Sequence, residues 1–284
     1  MGRRLVIILG PTAVGKTDFS IETALGYGSP VISCDSRQIY KEMRIGTAVP
    51  SEEQLAAVPH HFIQCTSVTE PWDAGKYASE ALSLIGRLFD KGHETLVMCG
   101  GSMFYIDAVC NGLDEFPDVD PKVRESLNET YSQEGLEPLV RRLSELDPAT
   151  AASIDLSNRA RVIRALEVCI SSGRPFSSFK TGKQVKRDFE IEKIGLSRPR
   201  EELYSRIDRR VLKMMEEGLE HEVRSLLPYR NETALQTVGY KEMFDCLDGK
   251  TSLDEAVALI QQHTRNYAKR QLTWWRRDRD IRWL

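Results

Sequence analysis

Eight consecutive residues near the N-terminus, Gly10-Pro11-Thr12-Ala13-Val14-Gly15-Lys16-Thr17, have the spacing G-x-x-x-x-G-K-[ST]. The glycines let backbone N–H groups close around phosphate oxygens, and the helix that follows adds partial positive charge. Lys16 supplies a mobile cation, and the Thr17 hydroxyl is placed to hold Mg²⁺. The pattern predicts phosphate or diphosphate binding and leaves open what happens to the phosphate. Hydrolysis of a nucleoside triphosphate usually uses an acid at the end of another strand. The run Thr95–Cys99 ends instead in Gly100-Gly101-Ser102. Val31–Cys34 does lead into an acid, Asp35, which from its position alone is a Mg²⁺ ligand, some other site group, or a turn residue before Ser36. Its place after a strand, at the ligand-binding edge of an α/β sheet, favours a role at the site.

The elements that must position these residues follow from apolar patterning. Leu5–Leu9 (LVIIL) is a continuous apolar run, as in a parallel strand buried on both faces. A helix is expected from Lys16 to Leu25, strands at Val31–Cys34 and Thr95–Cys99, and a helix at Ala74–Phe89 between them. That alternation predicts a parallel α/β sheet flanked by helices, of the P-loop NTPase-like type. Near Asp114 the pattern changes to a turn-rich acidic stretch, and up to about Arg187 it is polar and helical. A strand returns at Phe189–Leu196, followed by helices at Arg200–Leu227, Val238–Leu247 and Leu253–Arg277. The expected organisation is an α/β core, residues 1–113 and 189–284, interrupted by an all-helical lobe, residues 114–188.

The chain has 284 residues, 41% hydrophobic and 29% charged, which excludes a disordered or fibrous protein. No apolar run approaches the roughly 18 residues needed to span a bilayer. Met1-Gly2-Arg3-Arg4 and the short apolar run after it read as the approach to a strand, not as a signal peptide. Six cysteines are scattered without a C-x-x-C pair, so a reducing cytoplasm is the expected compartment. His60 and His61 would point to opposite faces of a strand, which disfavours zinc. The net charge of −3 conceals segregation. Residues 158–187 carry eight Lys/Arg against one acid, and residues 264–284 carry seven against two, leaving −15 elsewhere. Two basic islands in an acidic chain point to a polyanionic partner.

Taken in order, GPTAVGKT at 10–17, DSRQIY at 35–40, IGTAVP at 45–50, HHF at 60–62 and GGSMFY at 100–105 resemble the tRNA dimethylallyltransferase (tRNA isopentenyltransferase) family. DP at 147–148, NRARVIRALEV at 158–168, QTVGYKE at 236–242 and TRNYAKRQLTWWRRD at 264–278 extend the resemblance over almost the whole chain. It implies a transferase that moves a dimethylallyl group from dimethylallyl diphosphate to N6 of adenosine-37, beside the anticodon of tRNA. The P-loop would then hold a diphosphate that departs whole.

By resemblance Asp35 is the catalytic base that takes a proton from the adenine amine, a poor nucleophile. Lys16, Mg²⁺ and an arginine would stabilise the charge gathering on the leaving diphosphate. Arg210 is the first choice for that arginine and Arg206 the second, Arg209 being the third cation on the same helix. Ser102 stands where the family usually carries Thr, keeping the hydroxyl and losing the methyl that restricts its rotamer. Ser36, Arg37 and Gln38 follow the base, and the Gln38 amide suits an adenine edge. The adenosine must leave its stack to reach them. Arg124, Asn158, Arg159, Arg161 and Arg164 are expected to contact tRNA as well.

The resemblance implies tRNA and dimethylallyl diphosphate as partners, and a monomer in the cytoplasm is expected. Two alternatives stand beside it. One is a P-loop nucleoside or small-molecule kinase, disfavoured by the missing strand-end acid. The other is an adenylate isopentenyltransferase acting on free AMP, ADP or ATP, disfavoured by the basic lobe.

Overall fold

The computed structural model describes residues 2–182 and 185–284. It divides into two compact units, residues 1–110 with 186–284, and Asn111–Val185.

The first unit is built on six parallel strands: β1 Arg4–Leu9, β2 Val31–Ser33, β3 His60–His61, β4 Thr95–Gly100, β5 Glu190–Gly195 and β6 Ile281–Trp283. Their spatial order is β3-β2-β4-β1-β5-β6. β1 is central, with Leu5 opposite Leu96 of β4 and Ile191 of β5. Its LVIIL run is buried on both faces because successive side chains alternate. Leu5, Ile7 and Leu9 join one cluster with Tyr77, Ile85 and Val109, while Val6 and Ile8 join another with Ala24 and Val31. Each such side chain contributes about 1.5–3 kcal/mol of apolar burial. The expected parallel α/β core is therefore present.

The helices of this unit are α1 Lys16–Tyr27, α2 Glu52–Ala57, α3 Ala74–Asp90 and α4 Met103–Asn111, whose last residue already belongs to the second unit. The second unit carries α5 Pro121–Glu134, α6 Glu137–Leu146, α7 Pro148–Ser153 and α8 Arg159–Ser172. The first unit resumes with α9 Arg200–Glu216, α10 Leu219–Ser225, α11 Tyr240–Leu247 and α12 Leu253–Trp275. Where one helix over Arg200–Leu227 was expected, Gly218 adopts a left-handed φ of 98° and separates α9 from α10. An L side chain there would be strained, so the chain turns at the one residue free to do so. α12 starts where its sequence says it should: Ser252 accepts from the Glu255 N–H and the Glu255 carboxylate accepts from the Ser252 N–H.

Among its described residues, the regular structure of the second unit is helical, including a short 3₁₀ turn at Phe176–Phe179. Leu127, Leu139, Leu143, Val162 and Leu166 form its core. Asp147, 1% exposed, accepts from the N–H and hydroxyl groups of both Thr150 and Ser177, and so joins α7 to the 3₁₀ turn. Within this unit the N–H of Val185 donates to the carbonyl of Asn111, 2.9 Å away.

Candidate active site

Because all six strands are parallel, the turns after β1, β2 and β4 gather at one edge of the sheet. They border a cleft of about 1210 Å³ within the first unit. Lys16, Thr17, Asp35, Gln38, Arg206 and Arg210 all line it. Sequence positions nearly two hundred residues apart are thus brought together.

Among the described residues, the N–H groups of Ala13 and Gly15 have no acceptor, and those opening α1 are free by helix geometry. Thr12 N–H is instead held by Gln271 Oε1 at 2.9 Å. The Lys16 ammonium donates to the carbonyls of Gly10 and Pro11, both at 2.9 Å. Burial lowers its pKa to about 8, against the opposing pull of Cys99 and Asp35. Val14 is 2% exposed, and its carbonyl accepts from Arg198 Nε at 2.7 Å. The Ala13 carbonyl accepts from Arg206 Nε at 2.7 Å. Arg198, two residues before α9, and Arg206, within it, therefore both hold carbonyls of the P-loop.

Asp35 serves the fold and the cleft at once. Its Oδ1 accepts from the N–H groups of Arg37 at 2.8 Å and Gln38 at 3.2 Å, an Asx-type turn. Its Oδ2 has no hydrogen-bond partner among the described residues and belongs to a residue lining the cleft. Burial pulls the Arg210 guanidinium below its ordinary pKa, offset in part by Asp35. Arg210 also donates to the Thr47 carbonyl at 3.3 Å. Tyr267, lining the same cleft, is pushed up to about 12 by burial and by Asp35.

Ser102 lies behind this edge, 8% exposed, and its hydroxyl accepts from the Ser36 N–H at 2.8 Å. Its carbonyl begins α4 by accepting from Tyr105 and Ile106. The Arg37 guanidinium donates to the Thr233 carbonyl at 3.3 Å. Gln38 donates both side-chain bonds away from any ligand, to the carbonyls of Thr47 at 3.1 Å and Ala48 at 2.9 Å. Its amide is therefore left with an acceptor only.

The Thr17 hydroxyl makes no hydrogen bond among the described residues, and no cluster of three or more His, Cys, Asp or Glu that could hold a metal occurs among them. A free hydroxyl beside the P-loop fits Mg²⁺ held chiefly by substrate oxygens, the usual arrangement for this cation.

The remaining expected residues belong to the second unit. Glu167, fully buried, accepts from Arg124 Nε and Nη2, both at 2.6 Å, and from Arg164 at 2.6 Å. Burial pushes its carboxyl up, yet the two guanidiniums outweigh that and hold it below the ordinary value. Arg124 and Arg164, expected to reach for RNA, are thus committed in part to a buried acid. Asn158 caps α8, its side chain accepting from the Arg161 N–H at 3.2 Å. Arg159 donates to Asn128 and lies over Tyr131, 4.2 Å from the ring centroid. The Arg161 side chain is exposed, without an ion pair among the described residues.

Sequence reasoning missed Arg198 and Gln271. Gln271 is 1% exposed and bridges Thr12 to the Gly101 carbonyl, to which it donates at 2.8 Å. Gln271 carried no local signal, being one of many uncharged residues of α12. Arg198 carried none beyond preceding Pro199.

A loop with free N–H groups facing an arginine-lined cleft, on a parallel sheet, defines an α/β protein suited to a phosphorylated substrate. Residues 38–278 match the family described as IPP transferase, and the chain belongs to that family. The P-loop and Asp35 precede the matched range. The chain is 52% identical over 280 residues to tRNA dimethylallyltransferase 2 of Porphyromonas gingivalis, covering 99% of this chain and 93% of that one. It is 47% identical to tRNA dimethylallyltransferase 1 of Bacteroides thetaiotaomicron, covering 99% and 91%. Among solved structures, the tRNA isopentenylpyrophosphate transferase of Bacillus halodurans matches with TM-score 0.72 at 37% identity, covering 99% of this chain and 89% of that one. A eukaryotic dimethylallyltransferase acting on tRNA shares the fold, with TM-score 0.83 at 24% identity over 99% of this chain and 73% of that one. Among the described residues no helix is long and apolar enough to cross a membrane.

Proposed function

We propose that this chain transfers the dimethylallyl group of dimethylallyl diphosphate to N6 of adenosine-37 in tRNA, releasing diphosphate. One juxtaposition carries the reading in a chain of this family: the P-loop and Arg210 share a cleft with Asp35, whose Oδ2 is unspent.

The chemistry follows from charge. The N6 lone pair is delocalised into the adenine ring, so Asp35 Oδ2 accepts an N6 proton as the new N6–C bond forms. Oδ1 remains on the N–H groups of Arg37 and Gln38, which keeps the base oriented. The electron pair of the breaking C–O bond passes to the diphosphate. Lys16, Arg206, Arg210 and the free N–H groups of the P-loop face that charge, where stabilisation lowers the barrier most. Thr17 would hold Mg²⁺ together with diphosphate oxygens, supplying further positive charge to the leaving group. Ser102 acts at one remove, through Ser36.

The second unit supplies tRNA backbone contacts. Arg159 and Arg161 are the leading candidates, while Asn158, Arg124 and Arg164 shape the surface that presents them. The enzyme acts as a single chain in the cytoplasm.

The test is incubation with labelled dimethylallyl diphosphate and either unmodified tRNA or AMP, followed by nucleoside analysis. Label in N6-dimethylallyladenosine from tRNA alone is expected. Transfer only to AMP, or ATP consumption with no prenyl diphosphate present, overturns the proposal.

A further inference from the structure

Glu222 lies on α10, outside the residues assigned above, and its carboxylate collects four donors. Oε2 accepts from the N–H groups of Arg44 at 3.0 Å and Ile45 at 2.7 Å. Oε1 accepts from the Gly46 N–H at 3.0 Å and from the Tyr240 hydroxyl at 2.7 Å. Four donors fill the four lone-pair sites of a carboxylate, and bonds to an ionised acceptor are the stronger kind. Three successive N–H groups are thereby fixed in direction.

The loop they belong to cannot hold this shape unaided. Ala48 has a left-handed φ of 49°, which a residue with a Cβ adopts only where its surroundings impose it. Gly46 lies so close to Tyr240 that a Cβ would stand 2.6 Å from the ring. The next two carbonyls, of Thr47 and Ala48, are the ones that take both N–H bonds of the Gln38 amide. An amide whose NH₂ faces two carbonyls has one possible assignment of oxygen and nitrogen. Its Oε1, without a partner among the described residues, is the group left for the cleft that Gln38 lines.

We propose that Glu222 is a positioning residue for base selection: by fixing the 44–48 loop it sets Gln38 as an acceptor. This rests on the reading that an adenosine amine is the nucleophile. N6 carries two protons; Asp35 takes one and Gln38 Oε1 accepts a hydrogen bond from the other. A purine with a carbonyl in place of that amine meets acceptor against acceptor and is rejected, which an amide free to flip would not ensure.

The test uses Glu222→Gln, Glu222→Ala, Gln38→Ala and the double variant Glu222→Ala/Gln38→Ala. Glu222→Gln keeps one acceptor oxygen and covers the case in which Glu222→Ala fails to fold. The Glu222 variants are expected to lower kcat/KM for tRNA by about 10–100-fold through misplacement of Gln38. KM for dimethylallyl diphosphate should change less than about threefold, since Lys16 and the P-loop are untouched. The double variant should be no worse than the more damaged single one. A stem-loop carrying inosine at the target position should become a better competitor relative to the adenosine one. Multiplicative effects of the two substitutions, equal rises in both KM values, or unchanged discrimination against inosine overturn the proposal. Hydrogen exchange of the Gln38 side-chain amide reads the positioning without turnover. Faster exchange in Glu222→Gln is expected, and unchanged exchange overturns it. Absence of transfer by the unaltered enzyme overturns only the function above.

Discussion

Asp35 spends one carboxylate oxygen on the turn that follows β2 and leaves the other to the cleft. Asp35→Asn therefore removes the base and can keep the turn, whereas Asp35→Ala loses both. Single-turnover transfer by Asp35→Asn is expected to fall by about 10²–10⁴-fold. Its affinity for tRNA, measured by gel shift, should stay within a few-fold; unchanged turnover would remove Asp35 as the base. Lys16 offers a test by titration. With its pKa lowered to about 8, the ammonium is intact below that pH and loses its proton above it. Affinity for dimethylallyl diphosphate should accordingly hold up to pH 8 and then decline by up to about tenfold per pH unit. Calorimetry from pH 7 to 10 checks this, and Lys16→Met should flatten the decline.

At the scale of elements, the cations of α8 do different work. Arg161 has no ion pair among the described residues, whereas Arg164 neutralises buried Glu167. Arg161→Glu should raise KM for tRNA well above any change in KM for prenyl diphosphate; equal changes would count against the RNA-facing reading. Arg164→Ala should instead lower the stability of the helical unit by about 1.5–3 kcal/mol, as expected for a hydrogen bond to a charged group. Urea denaturation followed by a probe in that unit measures it. The same contrast explains what was legible in the sequence. The P-loop could be read directly because its ligands are contiguous, and LVIIL marked the central strand because parallel strands are buried on both faces. Arginine identity alone could not say which guanidinium is free and which pairs with a buried acid one turn along the same helix. Arg198 and Gln271 act through tertiary contacts with the P-loop, so no local spacing announces them. The Gly218 break was present in the sequence but lay inside a run of helix formers that masked it.

The whole molecule is a sheet interrupted in sequence by a helical unit whose first and last residues, Asn111 and Val185, are hydrogen-bonded to each other. Replacing residues 112–184 with a short Gly/Ser linker should leave a core that folds and binds dimethylallyl diphosphate while losing most tRNA affinity. Circular dichroism and filter binding check both halves of that expectation. Acid should affect the helical unit early. Glu167 and Asp147 are each pushed up by burial and brought below their ordinary values by their donors. Their stabilisation is whole above about pH 4.5 and is lost as pH falls through the lowered folded-state values. A melting temperature that rises on acidification from pH 6 to 3 would contradict this. The sheet order also sets a timetable for synthesis. β1 pairs with β4 on one side and, with Arg4 opposite Glu190, with β5 on the other. A ribosome adding about 5–20 residues per second takes roughly 5–20 s to travel from the end of β4 to the end of β5. For that interval the most apolar strand of the nascent chain has an open edge, which makes it a natural client for a chaperone that shields unpaired strands.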